Sequence, residues 1–120
     1  MPRITPQLRT TDMAATLDFY TGTLGFTLEF EYGGFYAGLR FGESTVHVKH
    51  VDRPDPSIPY VVDGGHLHLY ITVDDVDAVA AMLRAKGVPL VQEVCETEWR
   101  TRECVIRDDQ GHTLYFGEAV

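Results

Sequence analysis

The chain is poor in cysteine, in basic residues and in long apolar runs, and each shortage narrows what it can be. Among its 120 residues there are two cysteines, Cys95 and Cys104, without C-x-x-C spacing. They read as reduced, partly buried thiols rather than a disulfide, which fits a cytoplasmic protein. Lys and Arg number 10 against 18 Asp and Glu, a formal charge of −8. No cationic stripe is present to displace counterions from phosphates, so a nucleic-acid role is excluded. The acidic balance suits a cationic ligand, although it is also a common solubility feature. Nowhere is there the run of roughly 18 apolar residues that a membrane-spanning helix requires, and the start, MPRITPQL, holds no long apolar segment. With 44% hydrophobic and 23% charged residues, what remains is an ordinary globular composition, long enough for one domain with its own core.

The most informative stretch is His66 to Leu83, HLHLYITVDDVDAVAAML. Leu67, Leu69, Ile71 and Val73 alternate with His66, His68, Tyr70 and Thr72, giving a strand with one oily face and one face of imidazoles and a phenol. At Asp74-Asp75 the period changes. An aspartate caps the orphan N–H groups of a helix start, and Val76, Val79, Ala80 and Leu83 then share one helical face. The same device occurs earlier, where Leu8 to Asp12 leads into a helix with Met13, Leu17, Tyr20 and Leu24 at helical spacing. Asp12 and Asp75 are offset by 63 residues, and the same offset sets Thr5 against His68. The pattern predicts two copies of one unit.

In chain order, Ile4–Thr10 reads as a strand, Asp12–Leu24 as a helix stopped by Gly25, and Phe26–Tyr32, Phe35–Phe41 and Thr45–Lys49 as three more strands. Residues 52–65, with Pro54, Pro56, Pro59 and a closing Gly-Gly, read as a linker. The second unit repeats the order, with a strand to Val73, a helix over Asp75–Lys86 stopped by Gly87, and strands near Leu90–Glu96, Arg102–Arg107 and Thr113–Glu118. The fold class is therefore α+β: one domain of two tandem βαβββ modules, 1–51 and 66–120, forming curved mixed sheets around a cleft with helices on the outer face. A four-stranded sheet covered by one helix leaves its other face to water, a partner or a ligand. Parity puts Thr5, Tyr36, His47, His68, Glu103 and Tyr115 on that free face, a mixture of aromatics, imidazoles and few charges that suits an organic molecule.

The paired βαβββ pattern, with DMAATLDFYTGTLGF in the first module, HLYITVDDVDAV in the second and a closing RDDQGHTLYF, resembles the vicinal oxygen chelate superfamily, which includes glyoxalase I, extradiol dioxygenases and bleomycin resistance proteins. The resemblance implies four metal-ligand positions, on the first and last strand of each module, and these fall on Thr5, His47, His68 and Tyr115. Metal-dependent members carry His or Gln, Glu or His, His, and Glu there, so this chain keeps imidazoles at two and loses the others. A hydroxyl and a protonated phenol are poor donors to a hard divalent ion.

Among the branches, Glu98 to Asp108, EWRTRECVIRD, is most similar to the bleomycin resistance group's P-W-G-x-R-E-F-x-x-R-D-P, with Glu98 in place of the proline and Arg100 in place of the glycine. That resemblance implies a metal-free homodimer holding a small organic, cationic or aromatic ligand in an interface cleft. Its candidate ligand-binding residues here are His47, His68, Trp99, Tyr115, Tyr36, Glu103 and Thr5. Trp99 is either a stacking wall for the guest or a hairpin residue covering its own core. The alternative is a glyoxalase-like lyase or dioxygenase that uses His47 and His68 to hold Zn, Ni, Mn or Fe. A weaker third reading is a sensor or immunity protein whose free sheet face binds another protein.

Overall fold

Asp12 and Asp75 each close an extended segment and open a helix, and in the computed structural model, which describes residues 2–119, they do so in nearly the same conformation. Their φ/ψ pairs are −144°/90° and −143°/95°. Each carboxylate accepts a hydrogen bond from the backbone N–H three residues on, Ala15 in one case and Ala78 in the other. Such a cap satisfies an orphan donor and contributes about 1 kcal/mol. The predicted repeat is thus present down to its caps.

The chain divides into two units, Met1–Pro56 and Ser57–Val120. The first holds β1 (Gln7–Thr10), α1 (Met13–Asp18), a π-helical turn (Phe19–Thr23), β2 (Thr27–Tyr32), β3 (Tyr36–Phe41) and β4 (Ser44–His50). The second holds α2 (Ser57–Gly64), β5 (Leu69–Thr72), α3 (Val76–Ala85), β6 (Gln92–Glu96), β7 (Thr101–Arg107) and β8 (Thr113–Ala119). Each carries a four-stranded sheet in the same order, β1-β4-β3-β2 and β5-β8-β7-β6. In both, the first and last strands pair parallel and the other pairs are antiparallel. The α+β class and the two βαβββ modules are the observed architecture.

Alternation fills each core as the pattern requires. In the first unit Leu8 and Ala37 flank Val48, and Leu39 faces Val46 across the strands; all are buried, beneath the Met13, Thr16 and Tyr20 side of the first helix. In the second, Leu69 and Ile106 flank Leu114, and Cys104 faces Phe116, packed with Val76, Ala80 and Leu83 of α3. Each fully buried Leu or Ile contributes roughly 1.5–3 kcal/mol. Gly25 (φ 83°) and Gly87 (φ 77°) stop the two helices in the left-handed region that other residues resist.

Three elements differ from expectation. The first helix is α-helical only to Asp18; the Leu24 N–H then reaches back to the Phe19 carbonyl at 3.0 Å, a π-type closure. Thr16 takes a buried place where Leu17 was expected, its hydroxyl donating to Thr10 Oγ1 at 2.7 Å. Residues 57–64, expected within the linker, form helix α2. Proline is tolerated there because Pro59 lies in the first turn, where N–H groups have no intrahelical partner. That helix and Gly65 (φ 68°) hold His66 and Leu67 out of the strand, so β5 begins only at Leu69. No helix among the described residues is long and apolar enough to cross a membrane.

Candidate functional site

On the first unit, the face turned away from Val46 and Val48 carries a hydrogen-bonded row. The Gln7 amide donates to the Tyr36 phenol oxygen at 3.2 Å, and Tyr36 Oη lies 3.0 Å from His47 Nδ1. The phenol thus links the Gln7 amide to the imidazole, and His47 Nδ1 is engaged in this row whichever ring nitrogen carries the hydrogen. The Phe30 ring meets the His47 ring edge-to-face at 5.5 Å and lies parallel to Tyr36 at 6.4 Å. It rests on Gly38, where a Cβ would collide with it. Thr5 stands at the border, exposed, its hydroxyl 3.5 Å from that of Thr45. Phe30 was not among the expected residues; a register irregularity between Leu28 and Phe30 brings it over the sheet, and alternation alone does not reveal it.

On the second unit, a ring again lies over a strand glycine, here Tyr70 of β5. It lies over Gly117, where a Cβ would meet its hydroxyl, and it donates to Glu103 Oε2 at 2.6 Å. Thr101 Oγ1 donates to the same oxygen at 3.0 Å. Glu103 is only 4% exposed and has no ion-pair partner among the described residues. Burial first, and then the hydrogen bond and charge of Glu103, hold the Tyr70 phenol above its ordinary pKa of 10.0, so it stays a donor at neutral pH. The Tyr115 ring lies 6.2 Å from that of Tyr70.

His68 is turned to structural partners. The Thr113 backbone N–H donates to its Nδ1 at 3.1 Å, and Ser57 Oγ lies 3.0 Å from its Nε2. A backbone N–H is always a donor, so Nδ1 holds the lone pair and Nε2 the hydrogen. Beside it, Asp108 fixes the turn between β7 and β8. Its Oδ1 accepts from the N–H groups of Gln110, Gly111 and His112, and its Oδ2 pairs with His112 Nδ1 at 2.8 Å, both side chains being buried.

Trp99 projects from the turn before β7 and is 69% exposed, so it does not cover a core. The turn keeps the glycine-like conformation despite its sequence, with Arg100 at φ 70°. A pocket of about 310 Å³ opens on the second unit, among Tyr115 and Val105 of the sheet, Val91 ahead of β6, and His66 and Val62 of the α2 segment. Arg107 and Thr113 also line it. Neither was expected at a site, although both share the parity of Val105 and Tyr115; the helix that completes the pocket was the missing signal.

The four ligand positions are poor metal donors. Thr5 and Tyr115 offer hydroxyl oxygens in place of an imidazole or amide and a carboxylate, and the His68 Nδ1 lone pair is engaged by the Thr113 N–H. A zinc-bound histidine usually donates its second ring N–H to an acceptor, whereas His68 faces a donor there. The one grouping of three acidic or imidazole donors among the described residues is Asp75, Asp77 and Glu118, away from these positions. Its members already bond elsewhere, Asp75 as the cap of α3, Asp77 to Arg102 at 2.8 Å, and Glu118 to the Val76 N–H at 2.9 Å.

Comparison with known proteins bears on the family and the fold. The model of the Glyoxalase/Bleomycin resistance protein/Dioxygenase superfamily matches residues 2–116. CFP32 of Mycobacterium tuberculosis, provisionally named a glyoxylase, is 33% identical over 98 residues, covering 79% of this chain and 35% of that protein. The chain thus spans about a third of that relative's length. An uncharacterised protein of Mycolicibacterium smegmatis is 31% identical over 110 residues, covering 91% and 86% of the two chains. TnmS3, an antibiotic binding protein from Streptomyces sp. CB03234, shares the fold with a TM-score of 0.78 at 24% identity, over 100% of this chain and 98% of that one.

Proposed function

We propose that this chain, which belongs to the glyoxalase/bleomycin resistance protein/dioxygenase superfamily, is a metal-independent binding protein. It sequesters a small aromatic, drug-like or metabolite molecule in a cleft completed by a second copy of the chain. The observation that carries this reading is the state of the two retained histidines. The His68 lone pair is taken by the Thr113 N–H, and His47 Nδ1 by Tyr36. Neither adjoining position supplies an anionic donor. What the free faces offer instead is rings and hydrogen-bonding groups, namely Phe30, Tyr36 and His47 on one unit, and Tyr70, Tyr115 and Glu103 on the other. Exposed Trp99 is the natural stacking wall. The free thiols Cys95 and Cys104 support work in the cytoplasm. The likeness to an antibiotic binding protein supports the same class of guest.

Isothermal titration against a panel of aromatic compounds, cationic, neutral and anionic, tests this together with sedimentation of the free protein. Saturable binding by a dimer is expected, and silence across the panel would overturn the reading. A second reading, a metal-dependent lyase or dioxygenase, is favoured by the retention of His47 and His68 and by the name of CFP32. Elemental analysis of protein purified without chelator separates the two, because stoichiometric Zn, Ni, Mn or Fe would overturn metal independence and favour the enzyme reading.

A further inference from the structure

The pocket on the second unit is unlike the rest of this acidic chain. No Asp or Glu lines it, while Arg107 and His66 do, alongside Val62, Val91, Val105 and Tyr115. The sheet register explains the arrangement. Val105 pairs with Tyr115 and with Gln92 on its other side, making an apolar row with an amide at its end, and the next row sets Arg107 directly opposite Thr113. Side chains so paired lie about 5 Å apart at Cβ, on one face. Two groups in that second row have unused bonding capacity. Thr113 is only 4% exposed, and its Oγ1 has no hydrogen-bond partner among the described residues. The Arg107 guanidinium has no ion pair or hydrogen bond among them either. A buried hydroxyl left unpaired is held at a cost, and because this oxygen is closed off as the side chain stands, a turn of Thr113 brings it to an acceptor in the pocket.

We infer that this pocket binds an organic monoanion, a carboxylate carried on a compact apolar or aromatic body. The carboxylate lies in the fork of Arg107 and accepts from the Thr113 hydroxyl, with His66 beside it, and the body rests on Val105 and Tyr115 against Val62 and Val91. A planar guanidinium matches a carboxylate in two parallel hydrogen bonds, which a point charge would not. A pocket of about 310 Å³ stands at the lower end of small-molecule sites, which fits a metabolite-sized guest. The inference rests on the binding reading and deepens it by naming the charge and size of the guest.

The test uses the whole protein and three probes of one shape: 3-phenylpropionate, 3-phenylpropanamide and 3-phenylpropylamine. Affinities are read from amide and methyl chemical shifts. The expected result is saturable shifts at Val62, Val105, Thr113 and Tyr115 with the carboxylate, at least tenfold weaker binding of the amide and the amine, and at least tenfold loss in Arg107→Gln. Thr113→Val, of nearly the same shape, is expected to lose affinity several-fold, and folding of both variants is verified from the same spectra. Equal binding of amide and carboxylate, or an affinity unchanged in Arg107→Gln, overturns the anion inference and leaves the binding reading standing. Shifts from none of the three probes overturn the pocket itself, while the broader aromatic panel decides the binding reading independently.

Discussion

Replacing Gly117 with alanine probes how the free face of the second sheet is held. Its backbone is not in the left-handed region, so alanine is admissible there and would by itself gain about 0.5–1 kcal/mol over glycine. The added methyl, however, takes the place of the Tyr70 hydroxyl. Tyr70 is 43% exposed and swings outward, giving up its 2.6 Å bond to Glu103. A hydrogen bond to a charged group contributes roughly 1.5–3 kcal/mol, so the net expectation is a loss of about 1–2 kcal/mol. Urea denaturation would show this as a lower midpoint at unchanged slope. In a Tyr70→Ala background the same substitution is expected to be neutral or slightly stabilising, a coupling of about 1–3 kcal/mol in the double-mutant cycle. Ultraviolet titration gives a second readout: the Tyr70 phenol, held above its ordinary range in the parent protein, moves back towards it in Gly117→Ala. Equal destabilisation with and without the Tyr70 ring would refute the reasoning, because the cost would then lie in the strand and not in the ring and carboxylate above it.

The remaining expectations concern the turns, the thiols and a histidine. Arg100→Gly relieves a left-handed arginine, a strain of about 1–2 kcal/mol offset by the entropy of glycine, so a net gain of about 0.5–1 kcal/mol is expected, seen as a rise of a few degrees in Tm. Asp108→Ala strips three backbone N–H groups and His112 of their acceptor inside the protein, and a loss of roughly 3–5 kcal/mol by calorimetry is expected. Iodoacetamide at neutral pH is expected to label exposed Cys95 and to spare Cys104, whose thiol burial pushes up to about 11. Because the unfolded thiol gives up its proton near 9.0 and the native one does not, this group leaves stability unchanged below that pH; between there and about 11 it removes on the order of 3 kcal/mol. Long-range proton–nitrogen correlation is expected to show His68 with its hydrogen on Nε2, unchanged by one equivalent of zinc; a hydrogen on Nδ1 would sink the reading of that residue.

Most of the fold was legible because the modules obey simple periods. Strand alternation set His47 and Tyr115 on the free faces, which leaves their neighbours Val46, Val48, Leu114 and Phe116 to the cores, and the aspartate caps marked both helix starts. What escaped reading depended on tertiary context. The π-type closure at Leu24 leaves no periodicity of its own, and proline at position 59 reads as a breaker until the helix start is placed two residues before it. Overlooking α2 hid the pocket, since Arg107 and Thr113 look like turn-flanking surface until Val62 and His66 are set beside them. The glycine expected before β7 offers the reverse lesson. Arg100 stands in its place and takes the left-handed conformation that favours glycine all the same.

The site itself was legible as residue types but not as hydrogen-bond directions, and here direction decides chemistry. The resemblance sets His47 and His68 at metal-ligand positions, and an imidazole in a sequence is equally a ligand, a donor or an acceptor. A ligating imidazole needs an acceptor on its far nitrogen, which fixes the tautomer and raises basicity. At His68 that place is held by the Thr113 backbone N–H, which cannot reverse its polarity, so coordination through Nε2 would demand either an imidazolate or a broken backbone hydrogen bond. The parallel strand pair β5/β8 fixes that N–H, because His68 and Thr113 also bond the other way, backbone N–H to backbone carbonyl at 2.9 Å. The fold thus sets the histidine's tautomer through its main chain, and restoring ligating side chains at Thr5 and Tyr115 would leave that obstacle in place.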